Sequence, residues 1–194
     1  MPEETLQNEK VRKSGFFKEL IKFTLIAFLV VVPFRYFVAQ PFIVNGASMD
    51  PTFHTGEYLI VDQLSYRTFE DPQRGEVIIF RYPEDPSKFF IKRIVGLPGE
   101  TIEMRGNIIT ITNDENPSGF SIEENYIIHT KSDTLKVELE EDEFFVLGDN
   151  RASSSDSRIW GPLKQEFIIG RPIIRLFPLN RLQLFPGDYS GSSV

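Results

Sequence analysis

Three short segments of the chain carry side chains that could perform chemistry together. The first, Gly46–Thr52, places Ser48 in a run of small and polar residues that is typical of a tight turn. The second surrounds Lys92, and the third, Gly148–Arg158, contains four serines among charged residues. A serine in a turn often only caps the backbone, but it becomes a nucleophile when a histidine or an unprotonated lysine takes its proton.

Lys92 is the candidate base. Strand periodicity places Phe90 and Ile94 on the same face as Lys92. Burial there would lower the pKa of the lysine from about 10.4 toward neutrality, a shift of roughly three units that corresponds to about 4 kcal/mol against the charged form. The alternative is structural: an edge-strand lysine that opposes aggregation, or one whose stem covers apolar surface while its head reaches water.

Two other catalytic arrangements stay open on the residues alone. Asp149 and Asp156 could share a proton as an acid/base pair, although nearby arginines would favour ionised carboxylates in bidentate ion pairs. These arginines are Arg93, Arg151 and Arg158. A triad of Ser48, His54 and an aspartate is disfavoured because the histidine follows the serine by only six residues in an apparent turn.

Behind one N-terminal hydrophobic segment and in this order, the three segments resemble the bacterial signal peptidase I family of serine/lysine endopeptidases. The resemblance runs from about residue 37 to about residue 178. It implies that Ser48 attacks the scissile carbonyl, that Lys92 is the general base, and that Ser154 hydrogen-bonds to the lysine amine and orients it. It further implies that no cofactor is needed and that three charged residues support the site: Arg93, Asp156 and Arg158.

The oxyanion that develops during acyl transfer needs fixed hydrogen-bond donors, and the backbone N–H of Ser48 is the natural one. Some members of the family carry a second hydroxyl two residues before the nucleophile, where this chain has Gly46. We therefore expect no side-chain donor from that position. A glycine there could instead let the backbone approach the substrate closely.

The resemblance implies preproteins that carry signal peptides as substrates. In the family, the extended end of the signal peptide binds by strand addition, and small side chains at the first and third positions before the cut fill shallow apolar pockets. By position, we expect Met49 to wall the first pocket. The groove would be lined by Phe42, Val44, Phe90 and Ile91.

The composition restricts the classes of partner and chemistry. With 194 residues and a formal net charge of −7, the chain lacks the basic surface that a nucleic-acid partner requires. The absence of cysteine excludes disulfides, thiolate chemistry and cysteine-type zinc sites. Only two histidines are present, His54 and His129, so we expect no catalytic metal.

The N-terminal region predicts a membrane anchor at 20–38, which as a helix would be about 28 Å long. Lysines and arginines precede its apolar part and, after Arg35, none occurs until Arg67, so residues 1–19 are predicted to be cytoplasmic and residues 39–186 extracytoplasmic. A cleavable secretory signal is disfavoured by Arg35, Tyr36 and Phe37, which occupy the place of a small-residue cleavage site. A buried helix of a soluble protein is the other alternative. The expected partners are the bilayer and the protein export machinery.

Beyond the anchor, short runs rich in β-branched and aromatic residues alternate with glycine and proline. They predict a mainly β fold with an antiparallel sheet, and strands are expected at 58–62, 76–82, 89–95, 108–111, 143–147 and 168–176. The polar region at about 105–142 predicts a small cap or hairpin insertion, and 187–194 a flexible tail.

Two rival functions stay open. A self-cleaving serine/lysine peptidase of the repressor type would need a DNA-binding domain where this chain has its predicted anchor. A membrane-anchored β-domain that binds extracytoplasmic peptides without cutting them would not require Ser48 or Lys92.

Overall fold

The structure is a computed structural model that describes residues 16–29, 31 and 39–188. The chain divides into two compact units, 1–39 and 40–194. In the first unit, residues 16–29 and 31 are helical and their side chains are exposed (helix α1). Within the described residues, no helix combines the length and the apolar character that crossing a bilayer requires. Residues 30 and 32–38 of the predicted anchor, with Arg35, Tyr36 and Phe37, lie outside the described residues.

Residues 39–188 form twelve strands and two short α-helices, so the prediction of a mainly β fold is confirmed. The strands are β1 Ala39–Ile43, β2 Tyr58–Asp62, β3 Val77–Tyr82, β4 Asp85–Gly96, β5 Thr101–Gly106, β6 Ile108–Thr112, β7 Phe120–Ser121, β8 Asp133–Glu138, β9 Glu143–Leu147, β10 Leu163–Lys164, β11 Ile168–Phe177 and β12 Gln183–Leu184. The helices are α2 Ser65–Thr68 and α3 Ser157–Trp160.

The larger of the two sheets has the order β1-β2-β11-β3-β4-β9-β10, with β12 beside β11, and its strand pairs from β2 to β10 are antiparallel. Strand β3 lies between β11 and β4, and four successive residues, Val77 to Phe80, are buried. A continuous apolar run of this kind is expected where both faces of a strand are covered. The neighbouring strand β4 contains Lys92, which is paired in register with Ile78 of β3.

A second, four-stranded antiparallel sheet has the order β7-β6-β5-β8 and covers residues 101–138. Alternate residues of β5 and β6, Ile102, Met104, Ile109 and Ile111, are buried in one core cluster with residues of β4 and β9. The small cap or hairpin predicted at about 105–142 is thus a sheet of its own, which begins earlier than predicted, at Thr101.

The chain stays packed up to its last described residues. The carbonyl of Gly187, where the flexible tail is predicted to begin, accepts a hydrogen bond of 2.7 Å from Arg93 Nη1. A side chain at this position would meet the ring of Phe53 at 2.9 Å.

Candidate active site

The structure brings the serine and the lysine of the first two segments into contact. Ser48 lies in the turn after β1 and Lys92 in the middle of β4, 44 residues later. Lys92 Nζ is 2.7 Å from Ser48 Oγ, which is hydrogen-bond distance. Nucleophile and base are therefore already in reach of each other.

Lys92 occupies a dry position. Only 3% of the residue is exposed, and Nζ lies 5.3 Å from the centre of the Phe90 ring. Burial lowers the pKa of Lys92 to about 8, and the nearby carboxylates of Asp156 and Asp149 oppose this shift. The amine also contacts the Ile91 carbonyl oxygen at 2.9 Å. Lys92 can thus be neutral, and act as a base, at mildly alkaline pH.

Ser48 sits on a loop that is closed at its stem. Val44 N–H donates to the Glu57 carbonyl and Gly56 N–H to the Val44 carbonyl, both at 2.9 Å. Higher in the loop, Thr55 Oγ1 exchanges hydrogen bonds with Gly46, accepting from its N–H at 3.1 Å and donating to its carbonyl at 3.0 Å. These contacts close the loop on either side of the turn that carries Ser48.

Gly46 has a φ of +98°, in the region that favours glycine. No atom lies within 4 Å of the place where a Cβ would stand, so the backbone conformation and not crowding selects glycine here. The Ser48 N–H has no hydrogen-bond acceptor among residues 39–188.

The third segment holds the serine turn from the other side through Asn150. The backbone N–H of Asn150 donates to the Ser48 carbonyl at 3.0 Å, and its side-chain Nδ2 donates to the Ala47 carbonyl at 3.1 Å. Gly148 packs against the same turn: a Cβ at this glycine would lie 2.4 Å from the Ser48 carbonyl oxygen and 2.2 Å from Ser154 Oγ. Sequence reasoning did not single out Asn150 or Gly148, because only the folded backbone brings them to Ser48.

Asp149 joins all three segments by a buried ion pair. Arg93 Nε donates to Oδ1 at 2.9 Å and Arg93 Nη2 to Oδ2 at 2.6 Å, a bidentate arrangement. Thr52 Oγ1 donates to the same carboxylate at 2.5 Å. Arg93 follows the base in sequence and Thr52 follows the nucleophile, so this carboxylate ties both to the third segment.

Asp156 is the second buried carboxylate and pairs with Arg158. Arg158 Nε and Nη2 each donate to Asp156 at 2.8 Å, and Gly148 N–H donates to it at 3.1 Å. Although burial raises the pKa of Asp156, these hydrogen bonds and the charge of Arg158 outweigh it and hold the pKa below its usual value. Two carboxylates that are each paired with a different arginine do not form an acid/base pair that shares a proton.

Ser154 lies in the same region, in the third segment. Its Oγ is buried, and no hydrogen bond joins it to Lys92 within residues 39–188. The hydroxyl is one of the groups that lower the pKa of Asp156. The predicted orienting role of Ser154 toward Lys92 stays a prediction.

A groove of about 480 Å³ opens beside the serine and the lysine. Four residues predicted to bind substrate line it, Phe42, Val44, Phe90 and Ile91, together with Ala47, Ser48 and Lys92. Met49 is not among the lining residues; it is 1% exposed and packs in the core beneath. Its assignment to the first pocket also stays a prediction.

His54 is engaged elsewhere. Its Nε2 lies 2.9 Å from Asp50 Oδ1, and its Nδ1 faces Glu57 and Arg181. The hydroxyl of Ser48 contacts Lys92 instead. The geometry thus supports a serine/lysine pair over a serine–histidine–aspartate triad.

Comparison with known proteins identifies a matching family and similar proteins. The family model described as "Signal peptidase, peptidase S26" matches residues 17–177. A protein of Synechocystis sp. named "Probable signal peptidase I-1" is 37% identical over 174 residues, which cover 86% of this chain and 85% of that protein. A "Signal peptidase I" of Leptolyngbya laminosa is 38% identical over 172 residues, covering 84% and 81%.

A solved structure is also similar. The crystal structure of a signal peptidase I from Enterococcus faecalis V583 is 30% identical in sequence and aligns with a TM-score of 0.45. The alignment covers 54% of this chain and 98% of that one.

Proposed function

The chain belongs to the signal peptidase family, peptidase S26, and from this premise we propose that it is a signal peptidase I, a serine endopeptidase that cleaves signal peptides from exported preproteins. The observation that carries the proposal is the 2.7 Å contact between Ser48 Oγ and a buried lysine amine whose pKa is lowered to about 8. A structural lysine would keep its charge and reach toward water or a carboxylate.

In the proposed reaction, neutral Lys92 takes the hydroxyl proton as Ser48 Oγ attacks the scissile carbonyl carbon. The tetrahedral intermediate collapses when the amide C–N bond breaks, and Lys92 gives its proton to the departing amine. The signal peptide is then an ester of Ser48. Water attacks this ester while Lys92 takes one of its protons and passes it to the departing Ser48 Oγ. The signal peptide leaves as a carboxylic acid, which loses its remaining proton to solvent.

The negative charge on the carbonyl oxygen of the intermediate requires a fixed donor. We assign this role to the backbone N–H of Ser48, because it has no acceptor among residues 39–188 and belongs to a residue that lines the groove. Gly46 contributes no side-chain donor, and its positive φ shapes the backbone just before the nucleophile.

The charged residues around the pair are assigned supporting roles. Arg93 holds the Asp149 carboxylate, and Arg158 holds that of Asp156, so that each buried side chain stays in one place. Both carboxylates stabilise the protonated form of Lys92, which arises twice in each turnover. Ser154 is assigned to orient the amine during these proton transfers.

The proposed substrate is an extended peptide that lies in the groove between the residues after β1 and the first half of β4. Strand β9 pairs with β4 only from Arg93 to Gly96, which leaves the edge of Asp85–Ile91 that faces away from β3 available for strand addition. Phe42, Val44, Phe90 and Ile91 give the groove its apolar surface. Small side chains of the signal peptide would fill it, with Met49 packed behind the residues that line the first pocket.

The cellular arrangement is part of the same proposal. Residues 20–38 anchor the chain in the bilayer, residues 1–19 are cytoplasmic, and residues 39–186 act on the extracytoplasmic side beside the export machinery. The bias of lysine and arginine toward the N-terminal side of the apolar run supports this orientation. A reporter fused after Gln40 should be active only outside the cytoplasm; activity inside would reject the topology.

The experiment that tests the function is cleavage of a purified preprotein by the full-length chain and by Ser48→Ala and Lys92→Ala. Both variants should lose turnover by at least about a thousandfold, since residues that act as one unit are each indispensable. Ser121→Ala and Lys164→Ala, which change exposed residues of the same types, should cleave as the wild type does. Near-normal turnover by either variant of the pair would reject the proposal and favour a peptide-binding domain that does not cut.

A further inference from the structure

Asn150 forms hydrogen bonds with both peptide groups that flank the Cα atom of Ser48. Its side-chain Nδ2 donates to the carbonyl of Ala47, and its own backbone N–H donates to the carbonyl of Ser48. The two contacts connect residues about a hundred positions apart, with a separation of 103 for the side-chain bond. The Ala47 carbonyl also accepts from Asp50 N–H at 3.2 Å within the turn.

The planarity of the peptide bond gives the side-chain contact its consequence. The carbonyl of Ala47 and the N–H of Ser48 belong to one rigid trans peptide group and point in opposite directions. Any contact that fixes the direction of the carbonyl therefore fixes the direction of the N–H. That N–H is the donor assigned to the oxyanion, and Ala47 and Ser48 both line the groove.

We infer that Asn150 is a positioning residue of the oxyanion hole: its side-chain amide holds the Ala47–Ser48 peptide so that the Ser48 N–H stays directed at the developing oxyanion. This inference rests on the proposed peptidase function. It names a residue that touches neither the substrate nor the reacting atoms and acts through the orientation of one peptide group.

The pairing of the Asn150 amide supports this role over a purely structural one. The residue is 8% exposed, and its Oδ1 is buried with no hydrogen-bond partner among residues 39–188. A buried acceptor without a partner opposes folding. The half of the amide that forms a hydrogen bond is therefore Nδ2, which donates to the Ala47 carbonyl.

Two substitutions separate the side-chain contact from the backbone contact. Asn150→Ala removes Nδ2 but keeps the backbone N–H that binds the Ser48 carbonyl. Asn150→Asp keeps the size of the side chain but places an oxygen opposite the Ala47 oxygen, so that repulsion replaces the hydrogen bond. Thr55→Val is the matched control, because it removes two hydrogen bonds of the same loop, both to Gly46, without touching the Ala47–Ser48 peptide.

The experiment measures kcat and KM of the full-length chain and these variants on a preprotein. Loss of one oxyanion donor lowers kcat by about a hundredfold to a thousandfold. A donor that is present but misdirected should cause a smaller loss, so we expect kcat to fall about tenfold to a hundredfold in both Asn150 variants. KM and the pH midpoint of the rate should stay unchanged, and Thr55→Val should change kcat less than about threefold. A general loosening of the loop would instead shift KM and affect Thr55→Val equally.

A pair of inhibitors gives a readout that does not depend on turnover. A signal-peptide aldehyde forms an oxyanion-bearing adduct with the serine, whereas the matched peptide alcohol binds only as a ground-state ligand. Asn150→Ala should weaken the aldehyde by the same factor as kcat and leave the alcohol unchanged. If the wild type cleaves the preprotein and Asn150→Ala has the same kcat, the inference about Asn150 is rejected while the proposed function stands. Equal weakening of both inhibitors by Asn150→Ala would have the same meaning. A folded wild type that cleaves no preprotein would overturn the proposed function itself.

Discussion

The pKa of Lys92 makes the pH dependence of the reaction a sharp test. The amine must be neutral to accept the serine proton, and its pKa in the folded chain is about 8. At pH 7 about one molecule in eleven then carries a neutral amine, and at pH 9 about ten in eleven do. We therefore expect kcat/KM to rise about tenfold between pH 7 and pH 9 and to level off above that.

The assay is cleavage of a preprotein by the full-length chain from pH 6 to pH 10 at constant ionic strength. Its control is Lys92→Arg, whose guanidinium stays charged across this range and should give no activity at any pH. A rate that rises only near pH 10.5, or that does not change with pH, would refute the description of Lys92 as a desolvated base.

The cause of the shift can be tested at Phe90, whose ring lies 5.3 Å from Nζ. Phe90→Ala admits water, which favours the charged amine, but also removes an attraction between cation and ring, which disfavours it. Desolvation is the largest contribution to the shift, so we expect the midpoint of the pH–rate curve to move upward, toward 10.5. Phe89→Ala is the matched control because its ring contacts Phe42 rather than the lysine, and the midpoint should not move.

Two further predictions concern stability. Lys92→Met should raise the free energy of unfolding at pH 7 by about 3 kcal/mol, because below pH 8 the folded wild type holds a buried charged amine that would be better solvated in the unfolded chain. This gain should shrink as the pH rises from 8 toward 10.5, where the amine is neutral in the folded chain. Urea unfolding at pH 7 and pH 9.5 measures it, and a variant less stable than the wild type at pH 7 would contradict the reasoning. Gly148→Ala should destabilise the fold by about 1–3 kcal/mol and lower kcat, because its Cβ would lie 2.4 Å from the Ser48 carbonyl oxygen and 2.2 Å from Ser154 Oγ. If both the free energy of unfolding and kcat kept their wild-type values, the turn could move aside without effect.

Local patterns in the sequence predict much of the larger sheet. Strands β2 and β9 have the bounds that their runs of β-branched and aromatic residues predict, and β4 contains the predicted 89–95. Strands β5 and β8 are not among the predicted strands, although charged and apolar residues alternate in Thr101–Gly106 and Asp133–Glu138 as in a half-buried strand. Strand β5 pairs with the adjacent β6 on one side and with the distant β8 on the other.

The site divides in the same way between local and long-range information. Ser48 and Lys92 are predicted from residue types and from the resemblance of the segments around them, and the structure brings them together. The contacts of Asn150 and Gly148 with the serine turn join residues about a hundred positions apart, so no local sequence pattern indicates them. Met49 is buried in the core, and neither the spacing nor the composition of the sequence determines whether a turn residue faces the core or the groove.

The burial of Lys92 has a consequence for when the chain can act. In an unfolded or partly synthesised chain the lysine is in water, its pKa is near 10.5 and it is an ammonium ion that cannot take a proton. The contacts that assemble the site span 44, 97 and 103 residues, so residues as far along the chain as Asn150 must be in place first. On the proposed mechanism, the protein is therefore latent until the segments around Ser48, Lys92 and Asn150 have folded together, and a molecule that unfolds loses the lowered pKa of Lys92.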